Sequence, residues 1–109
     1  MKGIVGSSVQ FNWSFSGDVL VVKWGLTGGA GASVLNEQLY AITKSGAESV
    51  TSLPAYAGRV SGSRIAGKAI ITLSKVETSD TRFYGCEIRP TALDDTAKFD
   101  NVKLVVEGE

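Results

Sequence analysis

The chain has 109 residues, of which 43% are hydrophobic and 20% charged, with eleven basic and eleven acidic side chains. That size holds one domain around one core, and the composition excludes a disordered chain. A formal net charge of zero and the absence of any apolar run of membrane-spanning length argue against nucleic acid as partner and against direct membrane contact.

The apolar pattern has a period of two almost throughout, which predicts strands rather than helices. Val9, Phe11, Trp13 and Phe15 alternate with Ser8, Gln10, Asn12 and Ser14, the signature of a half-buried strand. Within it, Asn12-Trp13-Ser14 fits the N-glycosylation acceptor pattern, whose use would require a secretory route. Leu20, Val22, Trp24 and Leu26 predict a second strand with an inward face, although Val19 and Val21 make its other face apolar too. Gly28-Gly29-Ala30-Gly31-Ala32-Ser33 lacks the Gly-Lys-Ser/Thr ending of a phosphate-binding loop and any helix pattern after it, and reads as the next turn. A third strand is predicted over Gln38–Ile42. The Ser-, Gly- and Ala-rich stretch 45–67 follows, with a short strand at Arg59-Val60-Ser61. Further strands are predicted at Ala69–Leu73, Phe83–Arg89 and Asn101–Val106, with a single helical turn within Thr78–Phe83.

Catalytic and metal chemistry find little to work with. The chain has no histidine, so His-dependent triads and the common zinc sites are excluded. Asp94-Asp95 is an acidic pair without the spacing of a calcium loop and reads as solvated. No enzyme activity, cofactor or metal is expected. Cys86 is the only cysteine, so no disulfide can close within the chain.

Asp80-Thr81-Arg82-Phe83-Tyr84-Gly85-Cys86, preceded by Ile71-Thr72-Leu73-Ser74-Lys75-Val76, resembles the strand E to strand F region of variable-type (V-set) immunoglobulin superfamily domains. Gly6-Ser7-Ser8-Val9-Gln10-Phe11-Asn12-Trp13 is similar to strand B, with Trp13 standing where the family has its first cysteine. Trp24 then matches the strand C tryptophan. The resemblance implies an all-β, immunoglobulin-like V-type β-sandwich of two antiparallel sheets in Greek-key order. It implies a corner at Tyr84, a core position for Cys86, and an ion pair between Arg59 and Asp80 that closes the bottom of the sandwich. The span of 73 positions from Trp13 to Cys86 leaves room for the extra strands of a V-type domain.

The chain departs from antigen-receptor variable domains in its missing first cysteine, its short lead into strand B, and Phe99-Asp100-Asn101-Val102 at the start of strand G. Those departures resemble invertebrate recognition receptors, the cnidarian allorecognition proteins among them. A disulfide closing such a loop would be worth about 4–5 kcal/mol. One buried Trp is worth roughly 4–6 kcal/mol. A buried Trp13–Trp24–Cys86 cluster is therefore expected to replace the bridge. A reactive role for Cys86 would instead need exposure or an electropositive setting.

The expected function is extracellular protein recognition on a cell surface, homophilic or heterophilic. Met1-Lys2 leads into no apolar signal segment, so such a protein would carry this domain as part of a longer chain. Strand alternation turns Val21, Lys23 and Gly25 of the second strand outward, with Gly85, Glu87 and Arg89, and with Asn101, Lys103 and Val105. Val21, Lys23, Glu87, Arg89 and Lys103 are the expected interface. The alternatives are an antigen-receptor-like or engineered variable domain, and a carbohydrate-binding sandwich using Tyr40, Tyr56 and Phe99.

Overall fold

The computed structural model describes residues 1–15, 19–29, 31, 35–65, 67–90 and 98–108. Asp94-Asp95 and most of the loop around them lie outside the described residues, as does part of the glycine-rich turn.

Among the described residues, nine strands form two packed layers. They are β1 (Lys2–Ile4), β2 (Val9–Ser14), β3 (Val19–Leu26), β4 (Glu37–Thr43), β5 (Glu48–Val50), β6 (Val60–Ile65), β7 (Lys68–Leu73), β8 (Arg82–Pro90) and β9 (Lys98–Glu107). One layer has the order β1-β9-β8-β3-β4-β5, the other β2-β7-β6. A 3-10 turn at Thr78–Asp80 joins β7 to β8. The period-two pattern thus yields a β-sandwich, with one difference from two purely antiparallel sheets: β1 runs parallel to β9. The strands β1 and β5, three residues each, have too little alternation to be read from sequence, and β6 extends beyond Arg59-Val60-Ser61.

The core follows the inward residues of both sheets. Phe11, Trp24, Leu39, Ala69, Ile71, Leu73, Val76, Tyr84 and Leu104 are fully buried. Trp24 stacks on Tyr84 at 5.1 Å, and Phe11 leans against both rings at 5.1 and 5.3 Å. The second strand departs from simple alternation at its start. Leu20 is exposed and Val19 buried, because the pairing of β3 with β8 shifts between Val19 and Val21. A bulge of this kind swaps the faces of the residues on one side of it.

Trp13 also differs from expectation. Cys86 is buried opposite Trp24 on the neighbouring strand, but Trp13 is only half-buried. Its ring stacks on Phe11 at 5.9 Å while its indole N–H donates to Asp100 Oδ2 at 3.0 Å. The bond to exposed Asp100 on β9 gives the indole a polar partner outside the core. Trp13 and Cys86 line one open cleft of about 240 Å³ with Ile88 and Phe99. The packed centre between the sheets is formed by Phe11 against Trp24 and Tyr84.

The lower corner is built from polar groups. Tyr84 Oη donates to the Asp80 carbonyl at 2.8 Å and lies 3.3 Å from Tyr56 Oη. Arg59 meets Asp80 through two nitrogens, Nη1 to Oδ2 at 2.8 Å and Nη2 to Oδ1 at 3.0 Å. The same guanidinium donates to the carbonyls of Ala55, Ser74 and Lys75 and lies over the Tyr56 ring. It ties the segment before β6 to the β7–β8 connection.

Candidate functional site

The outer face of the larger sheet carries the best candidate surface, and its layout follows from register. Val21 lies opposite Arg89, Lys23 opposite Glu87, and Gly25 opposite Gly85. On the other side of β8, Phe99 lies opposite Glu87, Asn101 opposite Gly85, and Lys103 opposite Phe83. Directly opposed residues share a face, so these form rows across β3, β8 and β9.

Charges cluster around Glu87. Arg89 Nε donates to Glu87 Oε2 at 2.9 Å, and Lys23 Nζ lies 3.9 Å from the same oxygen. Glu87 is thus held between two cations of its own domain. Lys103 lies two rows away, its Nζ 5.7 Å from the Phe83 ring centre. Val21 is half-buried beside Arg89. The structure therefore gathers Lys23, Glu87 and Arg89 into one group and leaves Val21 and Lys103 at its margins.

Two apolar side chains missing from the expected interface occupy the middle of this face. A Cβ on Gly85 would stand 2.6 Å from Phe99 Cζ and 3.1 Å from Leu35 Cδ2, so both side chains rest on bare backbone there. Gly25 is needed for a different close approach: a Cβ would meet the Glu37 carbonyl oxygen at 2.0 Å, beside the bulge between Trp24 and Gly25. A glycine inside a strand often marks such an approach. A glycine at an outward strand position, Gly85, is the sequence feature that marks the seat of Phe99 and Leu35. Leu35, Lys23, Gln38, Glu87 and Arg89 together line a shallow depression.

The remaining sequence candidates are placed as follows. Tyr40 and Tyr56 are buried, which leaves only the half-buried Phe99 of the three aromatics proposed for a saccharide platform. Asn12 is exposed, with its side chain on the outer face of the smaller sheet. Among the described residues no three His, Cys, Asp or Glu side chains are grouped to hold a metal ion. Burial pushes the Cys86 thiol up to about 12, and the charges of Asp100 and Glu87 add to the shift. Thiolate is the reactive form. Native protein should therefore resist maleimide labelling at neutral pH and react only when unfolded, as mass spectrometry of labelled samples would show.

No family model and no curated protein matches the sequence. Solved structures do match. Murine CRIg aligns over 100% of this chain and 91% of its own, with a TM-score of 0.70 and 17% identity. A second structure, described as the structural basis of T cell specificity and activation by the bacterial superantigen toxic shock syndrome toxin-1, aligns over 98% of this chain and 92% of that chain. Its TM-score is 0.75 and its identity 13%. At such identities the likeness is one of fold. The chain is an immunoglobulin-like β-sandwich.

Proposed function

We propose that this chain is a V-type immunoglobulin-like recognition domain, borne on the extracellular part of a cell-surface receptor of the adhesion or allorecognition kind. It binds protein partners through the outer face of β3, β8 and β9, and it has no catalytic role. The addition of β4 and β5 beyond β3 supports the V-type reading, since it extends the larger sheet as C′ and C″ strands do. The observation that carries the binding site is the pairing of an apolar centre, Phe99 and Leu35 over Gly85, with the charged group of Lys23, Glu87 and Arg89. An apolar centre with a polar surround is the usual anatomy of a modest protein interface.

The partner is either the same domain on an opposing cell or a different protein. Glu87 is already engaged by Lys23 and Arg89, so opposite charges on this face are partly spent within the domain. That weakens the electrostatic case for self-recognition and favours a partner that supplies its own carboxylates.

Beads or cells displaying the domain test the reading, because single domains often bind weakly and act as arrays. Clustering, or adhesion to cells bearing a partner, should fall sharply in Lys23→Glu, Arg89→Glu and Phe99→Asp. Clustering that survives all three would move the site off this face. Absence of clustering by unmodified domain, with retained adhesion to other cells, would assign a heterophilic partner.

A further inference from the structure

Among the described residues the two sheets end in four edge strands, and three of them are guarded against pairing with another chain. β1 is three residues long and carries Lys2, paired with Glu107 at 3.8 Å. β5 is also three residues long and carries Glu48. β6 turns the Arg64 guanidinium inward, where it donates to the Val19 carbonyl and lies over the Phe15 ring. Short length, charge and an inward cation are recognised devices for blunting an edge.

β2 has none of them. Its six residues, Val9-Gln10-Phe11-Asn12-Trp13-Ser14, hold no charge and no proline, and they pair with β7 in unbroken register. Its orientation can be read from its neighbours. The Phe15 N–H bonds to the Gly67 carbonyl at 2.9 Å, and the Ser7 carbonyl accepts from the Val76 N–H at 3.0 Å. Odd-numbered residues therefore face β7. By strand alternation the backbone N–H and C=O groups of Gln10, Asn12 and Ser14 point to the open edge.

We propose that a second copy of this chain adds antiparallel along β2, fusing two three-stranded sheets into one continuous six-stranded sheet. Two-fold symmetry fits the strand: with the axis at Asn12, Gln10 of one copy faces Ser14 of the other, and Asn12 faces its own counterpart. The geometry supplies about six new main-chain hydrogen bonds. The exposed side chains brought together are all uncharged, so no like-charge pair opposes the contact. On the inner side, half-buried Trp13 lies opposite Phe11 of the copy and gains cover. The formal net charge of zero removes long-range repulsion between copies. A glycan on Asn12 would stand on the axis and act as the missing guard.

Sedimentation velocity over a concentration series up to the millimolar range, on protein made without glycans, tests this. Unmodified protein should show a reversible dimer. Asn12→Pro removes a donor that faces solvent rather than β7, which an edge strand tolerates. It should keep the native circular dichroism spectrum and weaken dimerisation by about tenfold or more. If that variant fails to fold, Asn12→Lys and Gln10→Lys restore a charged guard without touching the ladder and should have the same effect. A monomer at all concentrations overturns the proposal. So does a dimer that survives the β2 variants. Loss of the dimer in Lys23→Glu alone would assign it to the outer face of the larger sheet, which keeps the two sites distinguishable.

Discussion

Replacing Asp80 by Ala should lower the unfolding free energy by about 3–5 kcal/mol, the usual cost of leaving a buried charge without its partner. The side chains of Asp80 and Arg59 are only 4% and 16% exposed, so water screens little of the attraction. The loss would also free the Glu77 amide, which donates to Asp80 Oδ2 at 2.8 Å. In a double-mutant cycle with Arg59→Ala, the coupling should exceed the ~0.2–1 kcal/mol of exposed pairs. Additive losses would mean that the two contribute independently.

The same pair sets an acid limit. Burial alone would raise the Asp80 carboxyl. The hydrogen bonds from Arg59 and the Glu77 amide, with the charges of Arg59 and Arg82, outweigh it and hold the group below its ordinary 3.8. A carboxyl with a lowered folded-state pKa binds protons more readily when unfolded. Its contribution is complete above the ordinary value and is lost as pH falls from there through the lowered one. Asp80→Asn should therefore show a flatter decline in stability below about pH 4 than unmodified protein, measured by denaturant titration at several pH values.

Phe11→Ala should cost about 3–5 kcal/mol, and more than Trp13→Ala despite the larger indole. Phe11 is fully buried and touches three aromatic rings, whereas Trp13 is half-buried and anchored at the rim by Asp100. Truncating Phe11 opens a cavity between the sheets that Trp24 and Tyr84, already stacked on each other, are poorly placed to fill. Truncating Trp13 mainly widens a cleft that is already open. Urea denaturation of both variants gives the order. If Trp13→Ala loses more, the indole carries the core after all.

The contrast between these two residues shows how far the sequence could be read. Alternation in β2 placed Phe11 and Trp13 on one inward face. It could not tell which of them lies at the centre, because that depends on how far along β2 the other sheet reaches. Matching Trp13 to a missing cysteine pointed to the less buried of the two. The long strands β3, β8 and β9 were legible because each carries several alternating apolar residues. The bulge that exposes Leu20 was not, since Val19 and Leu20 are equally apolar. Arg59 and Asp80, 21 residues apart, could be linked only through the resemblance, as nothing local joins them. On the outer face, strand parity found the charged group but not its apolar centre. Leu35 lies before β4, and Phe99 precedes the stretch predicted as the last strand.

The parallel pairing of β1 with β9 has a mechanical consequence. Lys2 lies beside Val105 and Ile4 beside Glu107, with flanking bonds from the Val105 N–H to the Met1 carbonyl and from the Val5 N–H to the Glu107 carbonyl. Both strands run the same way, so tension applied at the two chain ends pulls them past each other along their length. The connecting hydrogen bonds then bear the load together, as a lap joint does, instead of opening one at a time as in a zipper. Under such tension the contact between β1 and β9 should be the first to resist, and its hydrogen bonds should set the force at which the sandwich begins to come apart.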